Sequence, residues 1–71
     1  MNIEQQIGAA IVRVRRGKRI SQESLSRRTG ISRHYISEIE NGNRQVSITI
    51  IHRIAFALGV SLSSLFDEAN V

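Results

Sequence analysis

The side chains best equipped for chemistry fall between positions 32 and 45, in the run SRHYISEIENGNRQ. Arg33, His34, Ser37 and Glu38 supply a guanidinium fork, an imidazole, a hydroxyl and a carboxylate. An arginine can bond guanine O6 and N7 together, and the other three can donate to or accept from remaining base edges. If Ile36 and Ile39 face inward on a helix, with Glu40 on the same flank, the helical period turns His34, Ser37, Glu38 and Asn41 outward. Arg33 then stands at the N-terminal end, where a helix lying in the major groove meets base edges. Tyr35 lies on the border, with a ring able to pack and a hydroxyl able to reach phosphate. Ser32 and Asn41, at the two ends of this helix, are further candidates for the sugar–phosphate backbone. So are Gln22, which opens the preceding helix with free amides beside it, and Arg44 and Gln45 in the loop that follows. The competing reading of each is an ordinary solvated side chain.

Other chemistries find less support. Glu38 and Glu40 are two apart on a helix and so face different ways, which makes no acid–base pair. His34 and His52 are the only histidines, and no third ligand stands at metal spacing. Serines are plentiful, but no His or Asp is arranged to activate one. With no cysteine in the chain, disulfides and thiolate sites are excluded. The expectation is a protein that is not an enzyme and uses no cofactor or metal.

One pattern positions these residues: an aliphatic residue, Ser, three residues, another aliphatic. It recurs as Ile20-Ser21 to Leu25, Ile31-Ser32 to Ile36, Val46-Ser47 to Ile51 and Val60-Ser61 to Leu65. Serine at an N-cap accepts from a free amide of the first turn, and the flanking apolar pair closes as a staple. Gly30, Gly42 and Gly59 sit where the second, third and fourth helices should end. Upstream, Ile3, Ile7, Ala10, Ile11 and Val14 recur at helical spacing. Five helices are predicted, near 2–17, 22–29, 33–41, 48–58 and 62–68, with ends good to about 2–4 residues. Helices two and three are joined only by Gly30, Ile31 and Ser32, a turn that sets two short helices steeply in a helix-turn-helix. Leu25, Ile31, Ile36 and Ile39 can lock the pair against helix one.

Charge agrees with a polyanion-facing surface. Residues 13–44 hold nine of the ten Lys/Arg against three acids, so that segment is +6 and the remainder −2. The run Arg13 to Arg19 is best explained by salt bridges of helix one. At 71 residues one domain spanning 1–71 is expected. Its core is worth about 3–5 kcal/mol net, so oligomerisation should reinforce it. No secretory pattern opens the chain, and no stretch approaches the roughly 18 apolar residues of a membrane span. A cytoplasmic protein without membrane association is expected.

The run SQESLSRRTGISRHYISEIENG, followed by RIAFALGV and SLSSLF, resembles the Cro and phage-repressor (XRE) helix-turn-helix family over about residues 5–66. The resemblance implies an all-α, five-helix bundle of the lambda-repressor-like type. It implies an ion pair between Arg15 and Glu40, phosphate contact from Gln22, and base contacts from Arg33, His34, Ser37 and Glu38. The small size, RHYIS and the loop NRQVS are most similar to the controller proteins of restriction–modification systems. Those bind as homodimers upstream of their own gene and the endonuclease gene, first activating and then repressing. Partners so implied are a double-stranded, pseudo-palindromic operator, a second copy of the chain and RNA polymerase. A stand-alone phage-type repressor and an antitoxin-type protein-interaction module share most of these residues. Arg19 replaces a frequent glycine, which suggests a turn that is looser or shifted toward Gly17. Ser26 replaces a small alanine and needs a backbone carbonyl for its hydroxyl. Ile50 and Phe56 stand where relatives are mostly polar. Either they pad the core edge, or helices four and five form a dimer surface with Phe56 as anchor and Leu62 and Phe66 nearby.

Overall fold

All four serines of the repeated pattern cap helices. In the computed structural model, which describes residues 1–71, the hydroxyls of Ser21, Ser32, Ser47 and Ser61 accept from the amides of Ser24, Tyr35, Ile50 and Ser64 at 3.0, 3.1, 3.2 and 2.9 Å. The helices are α1 (Ile3–Gly17), α2 (Gln22–Thr29), α3 (Arg33–Glu40), α4 (Ile48–Leu58) and α5 (Leu62–Ala69). Each end lies within a residue of its expected place. Helix α1 begins one residue later than expected because Asn2 is its cap, in a reciprocal capping box with Gln5. Asn41 likewise caps α3 instead of belonging to it.

The stops need one correction. Helix α1 does not reverse at Gly17, which is its last helical residue. Arg19 itself takes the left-handed conformation, at φ 58°. The amides of Arg19 and Ile20 return to the carbonyls of Arg16 and Arg15, both at 3.0 Å, which is the glycine-type helix stop built on a residue with a Cβ. The Ile20 side chain is thereby tucked into the core.

Apolar residues from every helix and from the α1–α2 and α2–α3 turns meet in one core of 14 buried side chains, with Ile11, Leu25, Ile36, Ile54 and Leu65 at its centre. Helix α1 packs on α3, α4 and α5, and α2 packs on α3 and α4. No single helix is long and apolar enough to cross a membrane. Helix α1 approaches the C-terminal end of α3 unusually closely at Gly8. A Cβ there would fall on the carbonyl oxygen of Ile39 and 2.7 Å from that of Glu40, so the smallest residue is the one that fits.

Candidate nucleic-acid interface

Two devices fix α3 relative to the rest. The first is the α2–α3 turn, where Gly30 reverses the chain at φ 73°. The Ser26 hydroxyl donates to the Ile31 carbonyl at 2.5 Å, and the Ile31 amide donates to Thr29 Oγ1 at 3.1 Å. Thr29 in turn donates to the Leu25 carbonyl at 2.8 Å. Both backbone groups of Ile31 are thus satisfied by α2 side chains, and the carbonyl that Ser26 needed is that of Ile31. Thr29 carried no signal in the sequence, since its part depends on how the turn closes.

The second device is the ion pair. Arg15 Nε and Nη2 reach Glu40 Oε2 and Oε1 at 2.7 and 3.0 Å, and Nη1 donates to the Ile20 carbonyl at 3.0 Å. The two side chains are only 9% and 4% exposed. A planar guanidinium fork meeting both carboxylate oxygens is the strong form of this contact. Gln22 Nε2 also donates to Glu40 Oε1, at 2.8 Å. One of the two Nε2 hydrogens of Gln22 is thus shared with the ion pair, and its Oε1 lies 3.5 Å from Arg33 Nε.

From this base the candidate reading residues project. Arg33 and His34 are exposed at the N-terminal end of α3, and Ser37 and Glu38 are half-buried one turn on. Glu38 stands close enough in sequence to compete for Arg33, yet it goes elsewhere. Its Oε2 accepts from Asn43 at 3.3 Å, and its Oε1 is 4.0 Å from His34. Arg44 lies over the Tyr35 ring, 4.9 Å from the centroid, so these two form one stacked unit at the edge of the helix. Ser32, Asn41 and Gln45 are exposed.

The basic run of α1 divides. Arg13 pairs with Glu68 and Arg15 with Glu40, but Arg16, Lys18 and Arg19 have no acidic partner. Helix-one salt bridges therefore explain only part of it. The proposed dimer residues are not gathered together either. Leu62 is packed against the core, while Phe56 stands 80% exposed on α4. Phe66 instead lines an apolar groove of about 420 Å³ with Ile3, Ile48 and Val71, to which Phe56 does not belong. Ile50 pads the core edge.

Residues 11–65 match the helix-turn-helix family model HTH_3. The chain is similar to the control protein C.BamHI of Bacillus amyloliquefaciens, 40% identical over 71 residues that cover 99% of this chain and 88% of that one. Among solved structures it resembles the clp gene regulator ClgR of Corynebacterium glutamicum, with TM-score 0.95 and 28% identity over 99% of this chain and 74% of that one. It also resembles the restriction–modification controller protein C.Esp1396I, solved as a tetramer with its natural 35-base-pair operator. There the TM-score is 0.85 and the identity 27%, over 100% of this chain and 99% of that one.

Proposed function

This chain belongs to the HTH_3 helix-turn-helix family, and from that premise we propose that it is a transcriptional regulator of the restriction–modification controller type. It binds a pseudo-palindromic operator as a homodimer, with half-sites roughly 34 Å apart so that both recognition helices meet the same face of the duplex. In a cell without a nucleus, that places it in the cytoplasm. The observation that carries the reading is the mounting of α3. Its apolar side is locked by the core and its end by the buried Arg15–Glu40 pair, while Arg33 and His34 are left exposed. A face held that rigidly, with no internal partner stronger than Gln22 at 3.5 Å for Arg33, suits the reading of a fixed pattern of base edges. The basic segment adds the sequence-independent attraction. The groove rimmed by Ile3, Ile48, Phe66 and Val71 offers a second copy an apolar surface, with Glu4 the one charged residue in its lining. A regulator of this type would respond to its own concentration, and contact with RNA polymerase would belong to its activating phase.

The test is selection of binding sites from a random duplex pool. The expected outcome is an enriched two-fold-symmetric sequence, with one position losing its preference when the selection is repeated with Arg33→Ala. If no sequence is enriched at any salt concentration, the chain is not a sequence-specific regulator. The likeness to ClgR leaves the regulated genes to be read from the enriched site and its place beside them.

A further inference from the structure

Helix α4 turns one stripe outward: Thr49, His52, Arg53 and Phe56, at helical spacing and all exposed. Phe56 stands in it 80% exposed, outside the core and outside the apolar groove. Cations surround it. Arg53 precedes it by three positions and so shares its side of the helix. Arg28, at the end of α2, reaches the last turn of α4, where its Nη1 donates to the Ala57 carbonyl at 3.4 Å. The Lys18 ammonium lies at the same turn, 3.7 Å from where a Cβ on Gly59 would stand. None of the three has an acidic partner, and the sequence holds no acidic residue between Glu40 and Asp67. The negative end of the α4 dipole accounts for Lys18 and Arg28 in part. It does not account for Arg53 in mid-helix, or for the ring.

We propose that this face of α4 docks on RNA polymerase, at a protein surface whose apolar recess receives Phe56 and whose carboxylates meet Arg53, Arg28 and Lys18. The proposal rests on the regulator reading above and gives its polymerase contact a place on the chain. The chemistry selects a protein over a nucleic acid. A phosphate backbone would pair the cations and leave the ring in water, whereas an acidic protein surface takes both. Aromatic rings and arginines are over-represented among the side chains that anchor protein–protein contacts. Size selects the kind of protein. One ring and three cations fall well short of the roughly 800 Å² per partner of a free-standing complex. Such a contact becomes productive when both proteins are held on one DNA molecule, where the effective concentration reaches about millimolar. Polymerase at the promoter beside the operator is the protein so held. The face is also left free by the other assignments, since base reading uses α3 and the proposed dimer groove takes Ile48 and not Phe56.

Polymerase occupancy is read by footprinting on a promoter that carries the selected operator beside it, with purified holoenzyme from the same cell titrated at saturating regulator. The parent should raise the apparent affinity of the polymerase roughly tenfold. Phe56→Ser and Arg53→Ala should each remove most of that gain, and Arg53→Lys should keep it. Operator affinity, sedimentation and unfolding midpoint should stay near the parent's in all three variants, because both positions are exposed. If Phe56→Ser and Arg53→Ala raise polymerase occupancy as the parent does, the proposal fails and the regulator reading stands. It fails equally if the parent fills the operator and leaves the polymerase unchanged at every operator–promoter spacing. Lower operator affinity in Phe56→Ser would place the face against DNA, and a lost dimer would make its occupant a second copy. Either overturns the assignment. If the parent binds no operator, the regulator reading falls and this proposal falls with it.

Discussion

Arg33 and Arg44 stand on the same surface, but their loss should leave different signatures. In the proposed complex Arg33 holds a base, so Arg33→Ala should weaken the preferred site by about 1–3 kcal/mol per half-site while relaxing discrimination at one base pair. In the same proposal Arg44 holds a phosphate, so Arg44→Ala should weaken all sequences alike, with a flatter salt dependence. Binding to a panel of single-base operator variants at two salt concentrations separates them, and a uniform loss for Arg33→Ala would make it a backbone contact. The ion pairs give a second contrast. Glu40→Ala strands a buried guanidinium and should cost about 3–5 kcal/mol, whereas Glu68→Ala, whose pair with Arg13 is about half-exposed on both sides, should cost under about 1 kcal/mol. Urea unfolding of the two variants reads this directly. Arg15–Glu40 was legible only through family resemblance, because a contact across 25 positions leaves no periodic trace. The engagement of Gln22 by Glu40 was not legible at all. A glutamine amide can always donate, but which acceptor it meets depends on how two helices are placed.

At the scale of elements, the helix starts were readable because capping is local. An N-cap serine, the amide three residues on and the apolar staple are all written within six consecutive positions. Approach between helices is not written that way. Nothing in the sequence marks Gly8, and only the packing of α1 on the end of α3 shows why it cannot be larger. Gly8→Ala should therefore destabilise the fold by about 1–3 kcal/mol, although alanine is ordinarily the better helix former. An unfolding midpoint equal to or above that of the parent would mean that α1 and α3 separate easily. Arg19 predicts the opposite sign. A residue with a Cβ held at φ 58° carries about 1–2 kcal/mol of strain that glycine lacks. Glycine gains some freedom in the unfolded chain, so Arg19→Gly should stabilise by about 0.5–1 kcal/mol. The same urea titration checks it, with no gain counting against a strained turn.

For the whole molecule, the proposed dimer makes stability depend on concentration, since association stabilises only the folded chain. The melting temperature should rise as protein concentration is raised from micromolar to hundreds of micromolar. Ile48→Glu, at a half-exposed groove position, should leave the monomer folded and weaken association tenfold or more, because an unpaired carboxylate would be buried against an apolar face. Phe56→Ser should leave association intact. Sedimentation velocity distinguishes the two, and a dimer broken by Phe56→Ser alone would move the contact to the outer face of α4. Phe56 drew attention in the sequence because a lone aromatic at a polar position is conspicuous. The groove did not, because Ile3, Ile48, Phe66 and Val71 are brought together only when the two ends of the chain meet.

The close seat of Gly8 against the Ile39 and Glu40 carbonyls has a consequence for the DNA. No side chain lies between the two backbones there, and the buried guanidinium grips the same end of α3. The reading helix therefore has little freedom to swivel toward an imperfectly spaced half-site, and fitting two rigid heads to one duplex falls to the duplex. Bending or twisting a short site costs about 1–6 kcal/mol, depending on its sequence. Base pairs midway between the half-sites, out of reach of either α3, should then carry information of their own. Operators with a pliable pyrimidine–purine step at the centre should bind several-fold tighter than those with a stiff A-tract there, although no side chain touches the difference.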